Sequence, residues 1–202
     1  MKKIKLVLLI LFAMSLGANT TELYQKMNAR YQKINSFEAD IIQTNHFAAM
    51  DKNIEYKGKF YFQKDRLLLS YSKPMRQRLY IANEKAELYE ESSKTLFKSA
   101  ILPEFSQMNP IDILQEYWGK SDVSILSKGK NTTKVQLKPH NDRQFAKITA
   151  VLDESGLARE LSYDDKSGNT VHYRFESIKI NRGISPDIWK FSYPKDTRII
   201  ER

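Results

Sequence analysis

Hydrophobic and polar residues alternate along the stretch 54–74. Ile54, Tyr56, Gly58, Phe60 and Phe62 fall on one side of an extended chain, and Glu55, Lys57, Lys59, Tyr61 and Gln63 on the other. A period of two is what a strand with a single apolar face requires. A turn at Lys64–Asp65 leads into Leu67, Leu69 and Tyr71, which again share a side. The stretch therefore predicts an antiparallel hairpin with large rings on its apolar face. Lys64 and Arg66 are in phase with Phe60 and Phe62 at the end of that face. We read the face as the wall of an apolar cavity.

The same pattern extends in both directions. Residues 19–36 predict an amphipathic helix, because Leu23, Met27, Tyr31 and Ile34 recur at helical spacing and line one stripe. Phe37, Ala39 and Ile41 then begin the first strand. After the hairpin come strands at 78–82, 85–90 and 94–99. Pro103 interrupts the series, and Asn109–Pro110 has the form of a helix N-cap followed by a first-turn proline. Ile111, Leu114, Tyr117 and Trp118 share a helical face, read either as core or as a lid over the cavity. Strands resume at 123–127, 134–137, 145–152, 157–163 and 171–180, with glycine-containing turns at 154–156 and 166–169. A helical turn is expected from Ser185, and 198–200 is extended. The expected fold is mainly β: an incompletely closed antiparallel barrel of about eleven strands, covered by a few short helices.

Length and composition narrow this picture. The 202 residues suit one domain, 19–202. Residues 1–18 have a Lys-rich start, an apolar middle and a small-residue end, the pattern of a secretory signal peptide. The chain has no cysteine, which removes disulfides, thiol chemistry and a lipid-modified cysteine. The formal charge is +9, and +6 once Lys2, Lys3 and Lys5 are removed with the signal. An exported basic protein meets anionic lipid or acidic partners, and the basic residues alternate along strands instead of forming a nucleic-acid stripe.

Catalytic chemistry finds no support. His46, His140 and His172 are far apart and lack metal spacing, and no nucleophile elbow, phosphate loop or zinc-helix motif occurs. Asp164–Asp165 reads as a solvated hairpin end. The expectation is therefore a non-enzyme without cofactor or metal.

Several segments, taken in order, resemble the outer-membrane lipoprotein carrier protein (LolA) family. They are SFEADIIQT at 36–44, GKFYFQK at 58–64, SYSKP at 70–74, NEKAELYE at 83–90, NPIDIL at 109–114, VQLKP at 135–139 and WKFSYPKDTRII at 189–200. The resemblance covers the whole chain after the signal. It implies an open β-barrel that holds lipoprotein acyl chains. It also implies a periplasmic location, an inner-membrane lipoprotein-releasing ABC transporter as donor and an outer-membrane lipoprotein acceptor. The protein is expected to act as a monomer.

The resemblance also implies a gate. In the family, a basic residue six positions after the hairpin glycine bonds to lid backbone. Counting from Gly58, that residue is Lys64, where the family has Arg; Arg66 lies two residues on, and either residue fits the role. The expected acyl-chain cavity is lined by Phe37, Ala39, Ile41, Phe60, Phe62, Leu67, Leu69 and Tyr71, with Ile111, Leu114 and Trp118 from the lid. Shielding is worth much here: roughly 15 methylenes at about 0.8 kcal/mol each cost on the order of 12 kcal/mol in water. The alternatives are a periplasmic lipid- or lipoprotein-sensing module on the same scaffold, and a solid-core structural β-protein.

Overall fold

A computed structural model describes residues 19–100 and 110–201, leaving the side chains of 110 and 111 undescribed. The signal-peptide reading, 1–18, and the cap at Asn109 lie outside the described residues. Helix α1 spans 19–31 and α2 Pro110–Trp118. The strands are β1 (Ser36–Phe47), β2 (Lys52–Gln63), β3 (Arg66–Lys73), β4 (Gln77–Ala82), β5 (Lys85–Glu90), β6 (Thr95–Ala100), β7 (Ser121–Lys128), β8 (Thr132–Pro139), β9 (Phe145–Asp153), β10 (Ala158–Asp165), β11 (Thr170–Ile180) and β12 (Arg198–Glu201).

All twelve strands belong to one open sheet in the order β12-β6-β5-β4-β3-β2-β1-β11-β10-β9-β8-β7. The expected mainly-β, incompletely closed architecture is what the structure has. Two details differ. Among the described residues the strands number twelve, and β12 pairs with β6 in parallel, Arg198 opposite Thr95. A parallel pair needs a long crossover. The chain supplies it by crossing the outer face between Ile180 and Arg198. The first helix is also shorter than expected: it ends at Tyr31, and Ser36 already opens β1.

Local chemistry sets the geometry. The β4–β5 turn is Asn83–Glu84, both at positive φ (51° and 58°), the handedness that matches the strand twist. Gly58 of β2 sits tightly against β3. A Cβ there would lie 2.2 Å from the Ser70 carbonyl oxygen, so no side chain fits. The β1–β11 ladder slips near Glu38–Asp40, with Ser177 at φ 51° opposite the slip.

The sheet's inner face and the two helices form the main core. Met27, Tyr31 and the nearby Ile34 from the α1 side, and Ile113, Leu114, Tyr117 and Trp118 from α2, pack on Phe37, Ile41, Phe60, Leu69, Val135, Ile148 and Leu161. Among the described residues, no helix is long and apolar enough to cross a membrane.

Candidate functional site

Strand pairing decides which side chains share the inner face. Phe37 lies opposite Phe62, Ala39 opposite Phe60 and Ile41 opposite Gly58; on the other side of the hairpin Phe60 faces Leu69 and Phe62 faces Leu67. Directly paired residues point the same way. The predicted strand residues of the cavity therefore fall together, and Tyr71 extends the row beside Gly58. Leu114 and Trp118 come down on them from α2. The side chain of Ile111 lies outside the described residues. Ile113, which the helical stripe did not single out, is buried in the core.

The middle of this face is deeply buried, while Phe62 and Tyr71 at its margins are half-buried. Phe60 and Leu114 are 0% exposed, and Ile41 and Leu69 are 1% exposed. Phe37 meets Phe60 edge-on at 5.6 Å and Phe175 at 6.1 Å.

The two helices of the cover touch each other directly. Tyr24 of α1 meets Trp118 of α2 at 5.6 Å, and Gln115 Nε2 donates to Asn28 Oδ1 at 2.7 Å. α1 is seated more firmly on the β9–β10 turn, where the Tyr31 hydroxyl accepts from the Ala158 N–H at 3.1 Å. Burial raises the Tyr31 pKa well above its ordinary value, so the hydroxyl stays neutral. Asn181 ties down the segment after α1: its Oδ1 accepts from the Asn35 N–H at 2.7 Å and its Nδ2 donates to the Lys33 carbonyl at 2.6 Å.

At the end of the inner face away from the Lys64 turn, phenols replace hydrocarbon. The Tyr71 hydroxyl donates to Gln43 Oε1, and Gln43 Nε2 donates to Asn45 Oδ1 at 2.7 Å. Tyr173 lies opposite Gln43 in the ladder, and Tyr163 stands 6.3 Å from Tyr173. Burial raises the pKa of all three tyrosines. The inner face therefore grades from aliphatic and phenyl groups into a neutral hydrogen-bonding end.

The two gate candidates separate. Lys64 occupies the turn at φ 56°, exposed, with its backbone N–H donating to the Asn35 carbonyl at 3.3 Å. Arg66 does not share the face of Phe60 and Phe62. It pairs with Gln63, and its guanidinium carbon lies 4.3 Å from the centre of the Trp189 ring on the outer side. A two-residue turn pairs Phe62 with Leu67, one even and one odd, so counting by twos through the turn assigns Arg66 to the wrong face.

The outer side has its own apolar cluster, which sequence reasoning missed. Tyr61, assigned to the polar face, is buried with Leu68, Ile184 and Trp189. The signal was present in Trp189, Phe191 and Tyr193, an alternating aromatic run, but nothing local says where it docks. Beside it a groove of about 770 Å³ is lined by Asp40, Lys57, Ser70, Arg78, Ile188 and Phe191, among others. On the inner side, Leu79, Leu161, Tyr173 and Phe175 also belong to the main core and were not among the expected lining. Among the described residues, no group of three or more His, Cys, Asp or Glu side chains is placed to hold a metal ion.

Comparison with known proteins gives the same outline. Residues 32–192 match the family model described as outer membrane lipoprotein carrier protein LolA. An uncharacterised protein of Methanocaldococcus jannaschii, MJ0687, is 22% identical over 199 residues; the match covers 90% of this chain, which spans 54% of that protein's length. Two solved structures share the fold. An uncharacterised conserved protein from Thermus thermophilus superposes with a TM-score of 0.58 at 12% identity, covering 88% of this chain and 98% of that one. A chain from the Pseudomonas aeruginosa MucA/MucB complex gives 0.55 at 10% identity, covering 86% of this chain and 61% of that one.

Proposed function

Because this chain belongs to the family of the outer membrane lipoprotein carrier protein LolA, we propose that its inner face takes up lipoprotein acyl chains. It would receive them from an inner-membrane ABC exporter, shield them across the periplasm and hand them to an outer-membrane acceptor. One observation carries this reading: a continuous apolar face is covered by two helices that meet each other through a ring pair and a neutral hydrogen bond. Lifting the cover costs burial of Leu114, Trp118 and their neighbours. An acyl chain lying on the sheet restores most of that burial, because hydrocarbon replaces hydrocarbon. The net cost of loading is then small and the process reversible, as delivery requires.

Lys64 is the gate candidate that remains. The chain leaves β6 at Ala100, at the same end of the sheet as the Lys64–Asp65 turn. An ammonium there offers three donors for the lid-backbone bond that the family resemblance implies. A charge-assisted bond of this kind is worth roughly 1.5–3 kcal/mol. No covalent step enters the cycle, so binding, release and the timing of the cover are all that the protein must supply.

The test uses the absence of native cysteine. Cysteines at Asn28 and Gln115, joined by a short bis-maleimide, fix α1 to α2. The linked protein is expected to lose release of a labelled lipoprotein from spheroplasts, while the unlinked double variant retains it. Full release by the linked protein refutes uptake beneath the cover. Retention of lipoprotein without transfer to acceptor membranes points instead to a sensing module.

A further inference from the structure

A second, small pocket of about 270 Å³ opens where α1, the β9–β10 turn and the end of β11 meet. Its lining includes Arg30, Arg159, Lys179, Arg182 and Asp153. Four cations thus surround one carboxylate, and that carboxylate is already committed. Asp153 Oδ2 accepts from Arg159 Nε at 2.9 Å and pairs with its Nη2 at 2.7 Å, while Oδ1 takes the N–H groups of Ser155 and Leu157 at 2.9 and 3.1 Å. Lys179 pairs outside the pocket, with Glu38 at 2.9 Å. Arg30 and Arg182 have no acidic partner among the described residues, and Arg30 Nε is buried without a hydrogen-bond partner.

Two unpaired guanidinium groups beside one small, polar pocket match one chemistry in particular. The guanidinium fork binds the oxygens of a phosphate in parallel, and it sheds water more readily than an ammonium. A buried Nε without a partner gains a full charge-assisted bond when an oxyanion arrives. The pocket lies at the end of the sheet that also bears Lys64, on the turn side of β9–β10 and β2–β3. A membrane phosphate plane meets such an end without the chain having to insert. We propose that this pocket binds the phosphodiester of an anionic phospholipid headgroup and orients that end of the protein toward the bilayer. The assignment is independent of the acyl-chain reading, since none of the residues expected to hold acyl chains lines this pocket.

The experiment measures co-sedimentation of the protein with phosphatidylglycerol vesicles and with phosphatidylcholine vesicles. The wild-type protein is expected to bind phosphatidylglycerol selectively. The Arg30→Gln/Arg182→Gln variant is expected to bind it about thirtyfold more weakly, the effect of removing two cations close to an anionic surface. Lys52→Gln/Lys166→Gln removes the same charge from the opposite end of the sheet and is expected to change binding little. Arg182→Gln alone removes an exposed side chain and keeps the test informative if Arg30 variants fold poorly. Equal loss in both double variants, or no preference for phosphatidylglycerol, overturns the proposal. Calorimetric binding of inorganic phosphate that depends on Arg30 and Arg182, without vesicle binding, overturns the headgroup assignment in favour of a free anion.

Discussion

Arg66 rests on Trp189, with 4.3 Å between its guanidinium carbon and the ring centre, and this contact ties the outer face of the β2–β3 hairpin to the chain that crosses behind it. A cation over an indole contributes about 1 kcal/mol when partly shielded. Arg66→Leu is therefore expected to lower unfolding stability by about that amount in urea titration, and to leave lipoprotein transfer unchanged. A selective defect in transfer would return Arg66 to the gate.

Lys64→Leu tests the other candidate. Removing the ammonium deletes donors from the turn without touching the core, so stability should change by no more than about 0.5 kcal/mol. Release of bound lipoprotein to acceptor membranes should slow about tenfold or more, the kinetic equivalent of a charge-assisted bond. Transfer at the wild-type rate would remove Lys64 from the mechanism.

Gly156 is the seat of α1. Its φ is +83°, and a Cβ on it would stand 2.8 Å from Met27 Cα, backbone against backbone. Gly156→Ala is expected to destabilise the fold by about 1–3 kcal/mol, through backbone strain and displacement of the helix. Gly119 has nothing within 4 Å of the same position, and Gly119→Ala should be close to neutral. Thermal unfolding of the pair makes the comparison; equal effects would mean that α1 is not held at this turn.

Buried phenols set an alkaline limit. Burial raises the Tyr31 pKa above 10.0, outweighing the hydrogen bond from the Ala158 N–H that favours the phenolate. A group whose folded pKa lies above its unfolded value contributes stability fully below the unfolded value and loses it as pH rises further. Stability should therefore fall progressively above pH 10, with Tyr71 and Tyr173 adding to the slope. Tyr31→Phe should cost about 1–3 kcal/mol at neutral pH, because the Ala158 N–H is left without its partner. The same variant should show a shallower alkaline slope. An unchanged slope would place the sensitivity in other tyrosines.

Asp153 sets part of the acid limit. Burial alone would raise its pKa, but the Ser155 hydroxyl, the Leu157 N–H and Arg159 together hold it below the ordinary 3.8. Its contribution is present above 3.8 and is lost as pH falls through the depressed folded value. Asp153→Asn should flatten the acid limb of the stability curve while lowering stability at neutral pH. A curve with the wild-type acid slope would contradict this.

What the amino-acid order settled by itself is local. Alternation along Phe37–Ile41, Phe60–Phe62 and Leu67–Tyr71 named strands and the side of each that seeks burial, because successive residues of an extended chain point opposite ways whatever lies beyond them. Helical stripes likewise identified α1 and α2, and the ordered segments identified the family. Three features needed the assembled molecule. Pairing across a two-residue turn sent Arg66 to the outer face, since register and not numbering decides which residues are neighbours. The return of Trp189 buried Tyr61 and Leu68 on a side that alternation marks as polar, because an apolar contact depends on a segment more than a hundred residues away. The seating of the two helices on the sheet was the third: an alternating pattern records that side chains leave water, and only the assembled molecule determines what they meet.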